Sequence, residues 1–315
     1  MLLALKVDVD TLRGTREGVP ALVEILRRHE AGATFLFSLG PDHTGRAIRR
    51  VFRPGFIDKV QRTSVMEHYG LKTLLYGTLL PGPDIGRRAG DVMRHVRDEG
   101  FEVGIHCWDH IKWQDGAVGA CAEWTARQLR LASERFSDIF KTDPKTHGAA
   151  GWQMSIHGLR LTQALGFDYC SDGRGTHPHF PVWNAELIHC PQLPTTLPTL
   201  DELIGTDGIT PDNVAERLLE RTASPAYPQA SMDHVFTLHA ELEGMQLAHV
   251  LEQLLVGWKA QSYQLSSLRV LYETLQPLTL PRCEVGPGAI SGRSGTLFCQ
   301  GREFLADFDT VQAVV

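Results

Sequence analysis

The chain has 315 residues, a formal net charge of −6 and 43% hydrophobic residues. That length suits one large α/β domain or two ordinary ones, and the apolar share excludes disorder. The mild acidity argues against nucleic acid as the main partner, and no run reaches the roughly 18 uncharged apolar residues of a membrane-spanning helix.

The first predicted element is a strand over Leu2–Val9, apolar apart from Lys6 and Asp8. Leu2 to Leu5 is too short for a signal-peptide core. The six scattered cysteines form no Cys-x-x-Cys, which fits free thiols in a reducing cytosol. Pro20 opens a helix with Leu22, Ile25 and Leu26 as its apolar face, and Gly32 ends it. Residues 33–39 form a second apolar strand, as in a parallel sheet covered on both sides. Residues 41–85 interrupt the pattern and are too long for an ordinary βα loop. Between His43 and Lys72 this insertion carries seven basic residues (Arg46, Arg49, Arg50, Arg53, Lys59, Arg62, Lys72) against Asp58 and Glu67. Apolar residues interleave with them. The segment either lies on an anionic membrane surface or grips a phosphate, or is a solvated helical hairpin packed on the domain.

Strand and helix then alternate: a helix over 86–99, a strand over 101–107, and a helix over 120–140. In that last helix Trp124, Leu131, Phe136, Ile139 and Phe140 are core candidates. A strand near Thr146, a helix over 155–165, a strand over 167–170, a helix over 214–219, a strand over 235–239 and helices over 247–258 and 266–275 follow. The alternation predicts a mostly parallel sheet, as a closed (β/α) barrel or an open doubly wound sheet. Both bind ligands at the carboxyl ends of their strands. The domain is expected over 1–276. Residues 277–315, rich in Pro, Gly and Ser, are expected to form an irregular tail.

Asp8, Asp10, His106, Asp172 and His239 all fall at those strand ends. Asp8-Val9-Asp10 and His106-Cys107-Trp108-Asp109-His110 together offer carboxylates and imidazoles for a divalent metal. Three such ligands with open positions can activate water for hydrolysis. Taken singly, each motif also fits a solvated loop, a helix cap or a surface pair.

The Asp-x-Asp after the first strand, the His-x-x-x-His after a later one and Leu238-His239 near the C-terminus resemble the polysaccharide deacetylase family (the NodB homology domain). Further similar segments are Asp8 to Pro20, Ser38-Leu39-Gly40-Pro41-Asp42, Ala149-Ala150-Gly151-Trp152, Ser171-Asp172-Gly173-Arg174-Gly175, Leu197-Pro198-Thr199-Leu200-Asp201-Glu202 and His239-Ala240-Glu241. The resemblance implies a distorted (β/α) barrel with a long basic insertion after the second strand. It implies that Asp10, His106 and His110 hold one divalent ion (zinc, manganese, cobalt, nickel or iron), that Asp8 is the general base and that His239 is the general acid. It further implies deformylation of undecaprenyl-phosphate 4-deoxy-4-formamido-L-arabinose at the cytoplasmic side of an inner membrane, in lipid A modification and polymyxin resistance. The partners would be a polyprenyl-phosphate-linked amino sugar and the anionic membrane surface.

The family's third motif usually carries an arginine that orients the base. The matching stretch here, His147 to Trp152, has none. Arg174 is a candidate replacement and Asp172 a candidate partner for His239; both also fit a Ser-Asp-Gly turn. Trp152 lines a sugar pocket or packs in the core. Arg13 and Arg16 bind phosphate, or cap a helix and pair with Glu17. Alternative functions are deacetylation of another N-acylated sugar and non-catalytic binding of a lipid phosphate.

Overall fold

The computed structural model describes residues 1–47, 73–223 and 232–306. In chain order the elements are β1 (Leu2–Val9), α1 (Val19–Arg28), β2 (Thr34–Ser38), α2 (Ile85–Asp98), β3 (Glu102–Cys107), α3 (His110–Gly116), α4 (Ala122–Phe140), β4 (Thr146–His147), α5 (Ile156–Ala164), β5 (Tyr169–Cys170), β6 (Phe180–Trp183), β7 (Glu186–Leu187), α6 (Leu200–Leu203), α7 (Val214–Ala223), β8 (His234–His239), α8 (Ala248–Ala260), β9 (Gln264–Ser266), α9 (Leu268–Thr274), β10 (Arg282–Gly288) and β11 (Leu297–Glu303).

β1 is buried from Leu3 to its end, because it has neighbours on both edges and helices outside. The main sheet runs β5-β4-β3-β2-β1-β8, and every pairing in it is parallel. β2 takes one edge of β1 from Lys6 to Val9, and β9 pairs with Leu2 to Ala4. Between β5 and β8 an irregular segment completes the ring. Cys170 N–H donates to Pro191 O at 2.9 Å, Leu193 N–H to Cys170 O at 2.8 Å, and Thr196 N–H to Val235 O at 3.0 Å. This is the distorted (β/α) barrel that the family resemblance implies, and it decides between the two forms the alternation leaves open. In α4, Phe136, Ile139 and Phe140 are buried as predicted. Trp124 is only partly buried, and Leu129 and Ala132 fill the positions beside Leu131.

The tail does not match expectation. β10 and β11 pair antiparallel, and β10 also pairs with β6 in a four-stranded sheet ordered β11-β10-β6-β7. Phe298 of β11 stacks on Trp183 of β6, with ring centroids 6.0 Å apart. Apolar contact therefore orders a stretch whose glycines and prolines suggest a loop.

The two ends of the insertion are clamped together. Asp42 N–H donates to Pro83 O at 2.9 Å and Gly45 N–H to Tyr76 O at 3.0 Å. Of the basic residues, Arg46 donates to Gly77 O, whereas Arg49, Arg50, Arg53, Lys59, Arg62 and Lys72 lie outside the described residues. Among the described residues, no helix is long and apolar enough to cross a membrane.

The glycines between Asp10 and Pro20 mark close approach to the loop after β8. An added Cβ on Gly18 would overlap the Ala240 carbonyl oxygen, and one on Gly14 would overlap the Glu241 carboxylate. Gly18 has an ordinary φ of −74°, so crowding alone selects it. Gly18→Ala should therefore destabilise the protein by about 2–3 kcal/mol, the upper range for overpacking. Chemical denaturation would measure this; an unchanged midpoint would contradict the tight docking of that loop.

Candidate active site

Side chains two apart on a strand leave the same face. Lys6 and Asp8 thus point together from β1 toward the other strand ends, and Asp10 follows just past the end of the strand. β3 delivers His106 to the same place. Asp109 then caps α3, its side chain accepting the Lys112 N–H, which makes His110 the first residue of that helix. The His-x-x-x-His pair therefore bridges a strand end and a helix start instead of lying on one helix face. His43, at the base of the insertion, contacts the same Asp109 carboxylate at 2.7 Å.

One ligand atom from each of Asp10, His106 and His110 lies within 4.8 Å of the others. Asp10 Oδ1 is 3.2 Å from His106 Nε2 and 3.3 Å from His110 Nε2. Two ligands about 2.1 Å from one ion, at angles of about 90–110°, lie about 3.0–3.5 Å apart. The residues fit a cation by that measure. Two buried oxygens here, Asp8 Oδ1 and Asp10 Oδ1, also lack a hydrogen-bond partner. His106 Nδ1 lies 2.7 Å from Gly148 O; donation there leaves Nε2 with its lone pair toward Asp10, the usual arrangement behind a ligating imidazole.

The field of the site is negative. Burial alone would raise the Asp10 carboxyl, but His110 and His106 hold it well below the usual carboxylate range. Burial opposes the charged form of His106, yet Asp8 and Asp10 raise its pKa. Glu241 is pushed up to about 8, first by burial and then by the charge of Asp10. Its Oε1 accepts from Asp10 N, Thr11 N and Thr11 Oγ1 at 2.8–3.1 Å, which fixes the Asp10 turn.

Asp8 and His239 are register partners across β1 and β8. Asp8 Oδ2 lies 3.3 Å from Lys6 Nζ, and Asp8 Oδ1 lies 3.7 Å from His106 Nδ1. His239 donates its backbone N–H to Glu243 Oε2 at 2.8 Å. Trp152 meets its ring edge-on, with centroids 6.2 Å apart.

The remaining candidates go elsewhere. Asp172 does not partner His239: its carboxylate contacts His147 Nδ1, Ala149 N and Gln192 Nε2 at 2.6–3.0 Å. Those contacts hold the turn whose Gly148 carbonyl orients His106. Arg174 does not reach Asp8. It donates to Glu202 at 2.5 Å and to Leu197 O at 3.0 Å, and stacks on Trp152. Trp152 is 2% exposed and has Lys6, Arg174 and Arg293 over its ring, so it supports the site from within. Arg13 pairs with Glu17 at 2.9 Å, and Arg16 donates to Arg88 O at 2.8 Å. Lys6, Glu241 and Glu243 are the side chains that sequence reasoning missed as site residues. The signal for Lys6 is a charge in the middle of an apolar strand.

A similar fold recurs in a putative polysaccharide deacetylase from Mycobacterium smegmatis (TM-score 0.61, 17% identity, 91% of this chain and 95% of that one). It recurs also in a probable polysaccharide deacetylase from Pseudomonas aeruginosa PAO1 (TM-score 0.56, 15% identity, 86% and 90%). The fold is that of the polysaccharide deacetylases. No family model matches the chain. It is 35% identical over 293 residues to the probable 4-deoxy-4-formamido-L-arabinose-phosphoundecaprenol deformylase ArnD of Shewanella sediminis (strain HAW-EB3), covering 93% of this chain and 92% of the relative. The protein of the same name from Wigglesworthia glossinidia brevipalpis is 31% identical over 243 residues, covering 77% and 82%. The chain belongs to the ArnD deformylase family and is a hydrolytic, amide-cleaving enzyme.

Glu243 yields a pH prediction. Burial pushes its carboxyl from 4.5 up to about 8. The folded state keeps this proton where the unfolded chain has lost it, so stability falls as pH rises through that window. The slope is at most about 1.4 kcal/mol per pH unit for one proton. Glu243→Gln retains an acceptor for the His239 N–H but cannot titrate. Its melting temperature should decline less than wild type between about pH 5 and pH 8. Parallel declines would refute the assignment.

Proposed function

We propose that this enzyme removes the formyl group from undecaprenyl-phosphate 4-deoxy-4-formamido-L-arabinose, giving the free amine and formate. The observation that carries the reading is the meeting of Asp10, His106 and His110 beside Asp8 and His239 at one end of the barrel. The names of the 35% and 31% identical relatives support the substrate.

In this reading Asp10, His106 and His110 hold one divalent ion. Zinc, manganese, cobalt, nickel and iron all suit such donors. When bound, such an ion polarises an amide carbonyl and brings the pKa of a bound water to about 7. Asp8 accepts the proton of the attacking water, with Oδ1 as its free oxygen. His239 delivers a proton to the sugar nitrogen as the C–N bond breaks, so the amine leaves neutral. Formamide and water thus become neutral amine and formic acid, Asp8 gaining one proton as His239 gives one up, and the formic acid then releases its proton to water as formate. Glu241 holds the Asp10 turn, and Gly148 O holds the His106 ring.

A polyprenyl tail would place the enzyme at the inner membrane, on its cytoplasmic face, for lipid A modification and polymyxin resistance. The basic composition between His43 and Lys72 supports that placement. So does Leu79 at the base of the insertion, 82% exposed.

Incubation with the N-formylated lipid-linked sugar should release formate, with loss of one formyl group by mass spectrometry. Removal of metal by a chelator should abolish the release. An N-acetyl analogue turned over faster would shift the reading to a deacetylase.

The base and ligand roles separate by mutation. His106→Ala should lose bound metal, whereas Asp8→Asn should keep it and lose about a hundred- to ten-thousand-fold in kcat. Metal analysis alongside kinetics checks both. Full occupancy in His106→Ala would overturn the ligand set.

A further inference from the structure

We infer that Lys6 is the positioning residue for Asp8, an inference that rests on the proposed base role of Asp8. Lys6 precedes Asp8 by two residues in β1, so both side chains leave the same face. The Lys6 side chain is fully buried. An ammonium has three donors and no acceptor. One is donated to the Ser171 carbonyl at 3.0 Å, and the ammonium forms an ion pair with Asp8 Oδ2 at 3.3 Å. The Trp152 ring covers a further side, its centroid 5.3 Å from Nζ. Gly148 leaves room for the lysine stem; a Cβ there would stand 3.0 Å from Lys6 Cε.

The arrangement divides the Asp8 carboxylate into two unlike oxygens. Oδ2 is tied to Lys6. Oδ1 is buried, has no hydrogen bond, and lies beside His106 at 3.7 Å. Rotation of a carboxylate about its last bond is soft, so an untethered Asp8 would not present one oxygen consistently. The ammonium, itself fixed at Ser171 and Trp152, removes that freedom. Stability alone does not account for the pair, since a buried ion pair is often no better than apolar residues of similar volume. Arg174 cannot fill this role because Glu202 and Leu197 O engage it.

The test compares Lys6→Met, Asp8→Asn and the double variant in the metal-loaded enzyme. Formate release from the N-formylated lipid-linked sugar and metal content are measured together. Lys6→Met should lower kcat about ten- to hundred-fold, with KM and metal content near wild type. If Lys6 acts through Asp8, adding Lys6→Met to Asp8→Asn should cost nothing further, because coupled residues are non-additive. A purely structural role predicts the same loss in both backgrounds. The double variant contains no unpaired buried charge, so it should fold even if Lys6→Met does not. Lys6→Gln, which keeps a donor for Ser171 O, then replaces Lys6→Met in the comparison. Wild-type kcat in the single Lys6 variant, or an equal further loss in the Asp8→Asn background, overturns the inference. Wild-type kcat in Asp8→Asn instead overturns the base assignment itself.

Discussion

Three charged side chains, Lys6 and Asp8 on one face of β1 and Asp10 just past its end, are buried. An isolated charge cannot be taken from water into such surroundings without a partner. The rest of the site is the set of answers to that constraint. Lys6 answers half of Asp8, His106 and His110 answer Asp10, and Ser171 and Trp152 answer Lys6. His106 comes from β3, His110 from the start of α3, and Trp152 and Ser171 from the segments after β4 and β5, so those strands must come together with β1 before the charges are matched. Fold and site are therefore one cooperative unit.

A second ring of contacts holds the partners themselves. Asp172 fixes the turn that carries Gly148, and Gly148 fixes His106. Glu241 fixes the Asp10 turn, while the backbone of His239 is held by Glu243. Gly14 and Gly18 let the loop after β8 come close enough for Glu241 to reach β1. Trp152, in the left-handed region at φ 50°, joins His239 to the cations beneath it. A non-glycine residue adopts that conformation when its surroundings compel it, and here the side chain is buried with three cationic groups over its ring.

Much of this is legible in the sequence, and the rest is hidden for definite reasons. β1, β2, β3 and β8 are apolar runs bounded by glycine, proline or a charged turn. Asp8, Asp10, His106 and His239 stand at their ends. The meeting of Asp10, His106 and His110 is legible because strand ends of a parallel barrel converge. Partner choice is not: Asp172 sits at a strand end as expected, yet whether it meets His147 or His239 depends on ring geometry that no spacing encodes. Lys6 stands out as a charge in an apolar run, but its partner Ser171 is 165 residues away. β10 pairs with β6 from about a hundred residues upstream, and glycine and proline within it mask the pattern. Residues 48–72, where composition speaks most strongly for a membrane surface, lie outside the described residues.

The small sheet belongs to the site as much as the barrel does. Between β10 and β11 lies Arg293, which donates to Glu202 at 2.9 Å and reaches Asp201 at 3.3 Å. Glu202 also receives Arg174, and both guanidinium groups cover Trp152. Glu202 is 3% exposed, so its charge in that setting needs both arginines. Without the hairpin, Glu202 would lose one partner and Trp152 one of its covers. A stretch that reads as a loose appendage thus supplies Arg293 to the Glu202 and Trp152 cluster behind the site.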